Sequence, residues 1–145
     1  MFAHLLIATD GSELAAKAEK AGLHLAKELG ARVTLVTATE PWAAMTIGET
    51  PALDFPLQDY EKAAARHAGE ILARVSAEAA RLGVACEAVH VVDFPAEAIL
   101  KTAKAKGCDL IVMGSHGRRG LKGLMLGSQA QRVLTLGAVP ALICR

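Results

Sequence analysis

Short continuous apolar runs alternate along this chain with longer stretches in which apolar residues recur every third or fourth position. The first pattern suits strands buried on both faces, the second helices with one inward face. His4 to Thr9 reads as a strand, stopped by Asp10-Gly11-Ser12. From Ser12 to Leu29 the residues Leu14, Ala15, Ala18, Ala21, Gly22 and Leu25 follow helical spacing, and Gly30 stands where a C-terminal cap belongs. Val33 to Thr39 is a second strand. The stretch from Glu40 to about Leu57 has no period and holds Pro41, Pro51 and Pro56; connections of this length act as lids, binding loops or linkers. Asp59 to Leu82 predicts a long helix with Ala64, His67, Ala68, Ile71, Leu72, Val75 and Ala79 on one face, ended by Gly83. Residues 84–92 predict a third strand, and Pro95 to Lys106 a helix with proline at its first position and Gly107 at its close. Leu110 to Met113 is the fourth strand, Gln129 to Leu136 the last helix with Gly137 as its cap, and Val139 to Cys144 the last strand.

Strand and helix thus alternate from end to end over 1–145, as in a single three-layer α/β/α domain whose five-stranded parallel sheet is doubly wound. In such sheets ligands bind beyond the carboxyl ends of the strands, where the winding reverses.

Composition narrows the function. The apolar fraction of 52% over 145 residues is ample for one core. A net charge of +1 and an aromatic content of 3% argue against a nucleic-acid partner, which needs phosphate neutralisation and stacking platforms. No apolar run approaches the roughly 18 residues of a membrane span, and the N-terminal hydrophobic stretch is too short for a secretory signal. Cys86, Cys108 and Cys144 are odd in number and scattered, which fits reduced thiols in a cytoplasmic protein rather than a zinc or redox motif.

The chemistry concentrates between Asp109 and Gln131. After the fourth strand, glycines fall at 114, 117, 120 and 123, followed by Gly127-Ser128 at the start of a helix. Ser128 with Gln131 three residues on has the form of a capping box. Glycines let backbone amides approach oxygens closely, and a helix start offers unpaired N–H groups at the positive end of its dipole. With Arg118, Arg119 and Lys122 in the loop, the stretch is a place for an anion. It has neither the Walker A spacing nor Gly-x-Gly-x-x-Gly; its own spacing is Gly114-x2-Gly117-x9-Gly127-Ser128.

That spacing resembles the nucleotide-binding signature of the universal stress protein family, in its ATP-binding branch. Similar segments run through the chain: Ile7-Ala-Thr9-Asp10-Gly-Ser12, Pro95-Ala-Glu-Ala-Ile-Leu100, Asp109 to Gly117, and the terminal Val139-Pro-Ala-Leu-Ile. The resemblance implies a Rossmann-like sheet of the adenine nucleotide alpha hydrolase type in the order 3-2-1-4-5. It implies that Ala8, Thr9, Asp10 and Ala38 hold adenine and ribose, that Met113 and Gly114 line the floor, and that amides around His116, Gly117 and Arg118 and at Gly127, Ser128, Gln129 and Ala130 grip the phosphates. ATP, with Mg2+ as its candidate companion, is the implied ligand. A homodimer joined along residues 139–144 is the implied assembly, and a cytoplasmic regulatory role in the stress response the implied function. Two departures stand out. Asp93 occupies a position where many relatives have glycine, and Ala38 is smaller than the valine often found there, which loosens the adenine wall.

Each residue also has a plainer reading. Asp10 can cap the first helix as well as serve a ligand. Ser128 can spend its hydroxyl on its own helix. His116 has no evident carboxylate to orient it, so it contributes backbone rather than imidazole chemistry. Arg118, Arg119 and Lys122 also read as a solvated loop, and His4, His24, His67 and His90 share no metal-ligand spacing. Four or five amides on a triphosphate, each about 1.5–3 kcal/mol before the cost of ordering the loop, reach about micromolar binding. Hydrolysis demands a group that positions water, and no motif supplies one. The leading expectation is therefore a nucleotide-dependent regulatory protein. A slow ATPase using Asp10 or His116 and a nucleotide-independent dimeric module stand as alternatives.

Overall fold

The computed structural model describes residues 1–42, 57–117 and 125–145. In chain order the elements are β1 (His4–Ala8), α1 (Glu13–Leu29), β2 (Arg32–Thr39), α2 (Leu57–Leu82), β3 (Cys86–Val92), α3 (Pro95–Lys106), β4 (Leu110–Gly114), α4 (Ser128–Leu136) and β5 (Ala141–Cys144). The five strands pair in parallel in the order β3-β2-β1-β4-β5, as the family resemblance implied.

β1 owes its central place to Leu5, Leu6 and Ile7, each 0% exposed. Successive side chains of a strand point to opposite faces. Leu5 and Ile7 accordingly join Ala18, Leu23, Val75 and Ala79 under α1 and α2, whereas Leu6 joins Ala96, Ile99, Ala130 and Val133 under α3 and α4. Ile111 and Val112 divide between the same two layers from β4. A continuous apolar run is what a strand covered on both sides requires. Pairing of Leu5 with Leu110, Leu6 with Ile111 and Ile7 with Val112 brings the ends of β1 and β4 level. The Asp109 carboxylate, accepting from the amides of Ala3 (2.8 Å) and His4 (3.0 Å), clamps the opposite ends of these two strands.

The helix ends follow local chemistry. Ser12, not Asp10, caps α1: its Oγ accepts from Ala15 N at 3.2 Å. Gly30 and Gly107 close α1 and α3 at φ 64° and 68°, a region that penalises a Cβ. The capping box expected at Ser128 is absent. Gly127 is the N-cap, Ser128 the first helical residue, and the Gln131 side chain donates to Leu126 O instead of reaching back to the cap. β5 begins at Ala141 rather than Val139, since Pro140 has no N–H to pair; its carbonyl still accepts from Ile111 N at 2.9 Å. On α2 the core takes Ala68, Ile71, Leu72, Val75 and Ala79, but Ala64 is only half-buried and His67 is exposed, against the expectation for that face. Those two lie toward the N-terminus of α2 and line a hollow beside the strand ends.

Candidate functional site

Beyond the carboxyl ends of β1, β2 and β4 lies a cavity of about 670 Å³, of a size that suits a small organic ligand. Ala8, Thr9 and Asp10 reach it from β1, Ala38 from β2, and Met113, Gly114, His116 and Gly117 from β4 and the turn after it. Gly127, Ser128, Gln129 and Ala130 close one end at the start of α4. All twelve of the expected site residues that fall among the described residues line this one cavity. Arg118, with Arg119, Lys122 and residues 43–56, lies outside the described residues.

The two glycine segments touch. Gly127 N–H donates to Ser115 O at 2.7 Å, and Ser115 N–H in turn donates to Cys144 O at 2.8 Å, so the turn after β4 hangs on the last residue of β5. A Cβ added at Gly127 would fall 2.7 Å from Ser115 O and 3.3 Å from His116 Cα, and one at Gly117 would fall 2.8 Å from Asp10 Oδ2. Both glycines therefore stand where backbone must pass close to another group.

The amide of Gly127 is thus committed, which removes one donor from those expected to face a ligand. Gln131 N–H is the first in α4 with an intrahelical acceptor, Gly127 O at 3.0 Å. The amides of Ser128, Gln129 and Ala130 precede it and have no carbonyl within the helix to reach, at the positive end of the helix dipole. The Gln129 side chain is occupied elsewhere: its Oε1 accepts from Ala96 N at 3.0 Å, serving the first turn of α3, whose N-cap Phe94 has no side chain that can do so. Ser115 Oγ and His116 Nδ1 lie 3.1 Å apart, which holds the imidazole beside its own turn.

Asp10 sits in two nested turns. Its Oδ1 accepts from Ser12 N at 2.9 Å, and Thr9 Oγ1 accepts from Gly11 N at 3.1 Å, with Gly11 at φ 79° between them. The opposite wall was not anticipated. It comprises Glu40, Tyr60, Ala63, Ala64 and His67, with Pro95, Ala98 and Ile99 from α3. Tyr60 OH donates to Glu40 O at 2.8 Å, and its ring lies 4.9 Å from that of Trp42, tying the chain that leaves β2 to the first turns of α2. The only signal for this wall was the apolar stripe of α2, which continues N-terminal to the last turn that packs on the sheet.

Among the described residues no group of three His, Cys, Asp or Glu side chains could hold a metal. The three cysteines are free, and burial pushes each thiol above its ordinary value.

The family model described as universal stress protein matches residues 1–145. The Bacillus subtilis universal stress protein YxiE is 36% identical over 148 residues, with full coverage of both chains. Among solved structures, that of MJ0577, a universal stress protein of Methanocaldococcus jannaschii, superposes with a TM-score of 0.84 at 26% identity, covering 99% of this chain and 96% of that one. A universal stress protein solved in complex with cAMP superposes with a TM-score of 0.73 at 25% identity, covering 99% and 97%.

Proposed function

The chain belongs to the universal stress protein family, and from that premise we propose that residues 1–145 act as one nucleotide-binding domain that holds ATP and works as a regulator whose state depends on it. The observation that carries this reading is the convergence of three helix amides that have no acceptor within their helix with the Gly114–Gly117 turn on a single cavity. Backbone N–H groups at a helix start make an anion site without a charged side chain, and each bond to a phosphate oxygen contributes about 1.5–3 kcal/mol. The cavity has room for a base and ribose against Ala8, Thr9, Asp10 and Ala38, with Met113 and Gly114 beneath and the phosphates toward Gly117 and Ser128–Ala130. The relative solved with cAMP supports an adenine nucleotide as the ligand. Mg2+ would arrive with the phosphates, neutralising charge that the amides share.

The reading is of binding rather than turnover. A slow ATPase remains a defined alternative, because Asp10 Oδ2 lies against Gly117, next to the proposed phosphate seat. Single-turnover hydrolysis in wild type, Asp10→Asn and His116→Ala separates the two. An apolar edge supports a homodimer through β5: Leu134, Leu136 and Leu142 are all exposed on the elements at that end of the sheet. Free thiols, and the absence among the described residues of a helix long and apolar enough to cross a membrane, support a cytoplasmic setting. With a net charge of +1, nucleic acid is not the expected partner.

The deciding experiment releases small molecules from freshly purified, denatured protein for mass analysis, alongside calorimetric titration with ATP, ADP and cAMP. A stoichiometric adenine nucleotide, or micromolar binding of ATP by stripped protein, is the expected result. No adenine nucleotide in either arm overturns the proposal.

A further inference from the structure

α1 carries a carboxylate where an apolar residue would be the simpler choice. Its inward face consists of Ala15, Ala18, Gly22, Leu23 and Ala26, and among them Glu19 is only 5% exposed. Burying a carboxylate is costly unless it is paired, and its partner Arg74 keeps a side chain that is 56% exposed, so only the carboxylate end of the pair is buried. Packing alone therefore does not account for Glu19.

Its contacts do. Arg74 of α2 grips it with two nitrogens, Nη1 to Oε2 at 3.0 Å and Nη2 to Oε1 at 3.1 Å. On its other side Glu19 Oε1 accepts from Thr9 Oγ1. Thr9 is buried at the end of β1 and leads directly into the Asp10 turn. A carboxylate only accepts and a guanidinium only donates, so the polarity of the whole chain is set. Thr9 must give its one hydroxyl proton to Glu19, and its oxygen is left to accept from Gly11 N–H at 3.1 Å. That bond holds Gly11 at φ 79° and with it the loop from which Asp10 faces the cavity.

We propose that Glu19 and Arg74, neither of which lines the cavity, are positioning residues for the nucleotide site, acting through the Thr9 hydroxyl on the Asp10–Ser12 turn. The inference rests on the nucleotide reading above and extends it to a groove between α1 and α2, where both residues lie beside Lys20, His24 and Glu78.

The test is calorimetric ATP binding by Glu19→Gln, Arg74→Met, Thr9→Val and the double variant Thr9→Val/Glu19→Gln, with melting temperatures alongside. Glu19→Gln supplies an amide that can donate to Thr9 and so loses the enforced polarity. It and Arg74→Met are expected to weaken ATP by about three- to thirtyfold. The double variant binds no more weakly than Thr9→Val alone, because Glu19 has nothing left to act through. Amide exchange at Gly11 in ligand-free protein, read by NMR, quickens in Glu19→Gln. Lower melting temperatures with wild-type ATP affinity, or additive losses in the double variant, overturn the proposal and leave the nucleotide reading standing. Wild-type protein that binds no adenine nucleotide ends both.

Discussion

Replacing Gly127 by alanine is the sharpest probe of the cavity. Gly127 sits at φ −63° and ψ 157°, which alanine adopts freely, so the substitution carries no backbone penalty and acts through space alone. The new Cβ would lie 2.7 Å from Ser115 O and 3.3 Å from both His116 Cα and Cδ2. Two of these atoms are main chain, and Ser115 is held by its bond to Cys144 O, so the start of α4 must give way. Further along, α4 is fixed by Gln129 on Ala96 N and by buried Ala130 and Val133, which concentrates the shift at residues 127–128. The bond from Gly127 N to Ser115 O stretches or breaks, at about 0.5–1.5 kcal/mol of stability. If the displaced turn misaims even one amide toward phosphate, binding loses about 1.5–3 kcal/mol, or roughly ten- to 150-fold in Kd for ATP. Calorimetry well below the melting transition measures the affinity, and a thermal melt reports the fold. Gly117→Ala is the matched comparison: among the described residues its Cβ would meet the tip of the Asp10 side chain, at 2.8 Å, rather than main chain, so the loss is smaller. Should the Gly127→Ala protein be folded and bind ATP within about twofold of wild type, the amides of α4 do not hold the phosphates.

The remaining expectations concern the core, the edge and pH. Gly22 admits α1 against the sheet: an added Cβ would lie 2.6 Å from Ile7 Cδ1 and 2.8 Å from Ile7 Cγ1. Gly22→Ala should therefore lose about 1–3 kcal/mol to overpacking, less about 1 kcal/mol of helix propensity, and Ile7→Val, which deletes the nearer atom, should make the double variant better than the sum by at least about 0.5 kcal/mol in urea titrations; strict additivity refutes the contact. Leu142→Lys on β5 should convert the proposed dimer to monomer in light scattering with ATP affinity unchanged. A wild-type monomer at all concentrations removes the dimer instead. Ala38→Val adds two methyl groups to the cavity wall and should tighten ATP by about three- to tenfold if the base rests there, whereas weaker binding places the base elsewhere. His4 is buried with Nε2 2.8 Å from Thr34 Oγ1, and its imidazole lies below the ordinary 6.5 owing first to burial and then to Arg32, with Asp109, the Lys106 backbone and Glu87 pulling the other way. The unfolded chain thus takes up a proton that the folded one resists, so stability falls as pH drops through about 6.5 and continues to fall until the folded imidazole protonates. His4→Gln should lose less melting temperature than wild type between about pH 7.5 and 5.5, and equal losses would show that His4 does not set the slope.

The fold was legible because both of its patterns are encoded locally. A strand buried on both faces cannot alternate polar with apolar residues, so Leu5-Leu6-Ile7 and Leu110 to Met113 announced themselves, and glycines at 30 and 107 marked helix ends that need a positive φ. Strand order is a different matter. Apolar runs do not say which neighbour they want, and the placement of β1 beside β4 came from resemblance, not from the residues. Capping was read less well, since the same Ser-x-x-Gln spacing is satisfied whether serine precedes the helix or opens it. The bond from Gly127 N to Ser115 O decides that question, and it joins residues twelve apart across the glycine-rich stretch.

The site divides along the same line. Its proposed anion end is main chain, and main-chain sites advertise themselves through glycine, because glycine is the one residue whose absence of a side chain is the message: at 117 and 127 a Cβ would strike Asp10 or Ser115. The wall from α2 is built of Ala63, Ala64 and His67, which look like core because their spacing continues the buried stripe of the same helix. Only the length of the sheet, which runs out beneath them, turns that stripe from core into cavity. The Thr9–Glu19–Arg74 chain was invisible for a third reason: Arg74 and Glu19 stand 55 residues apart on two helices whose mutual packing no local pattern specifies. Recognition by backbone also carries a functional consequence. Under the proposed reading, amides in a fixed cradle account for holding phosphate oxygens, and any turnover would fall to the side chains around them, which is why Asp10→Asn and His116→Ala are the variants that separate binding from hydrolysis.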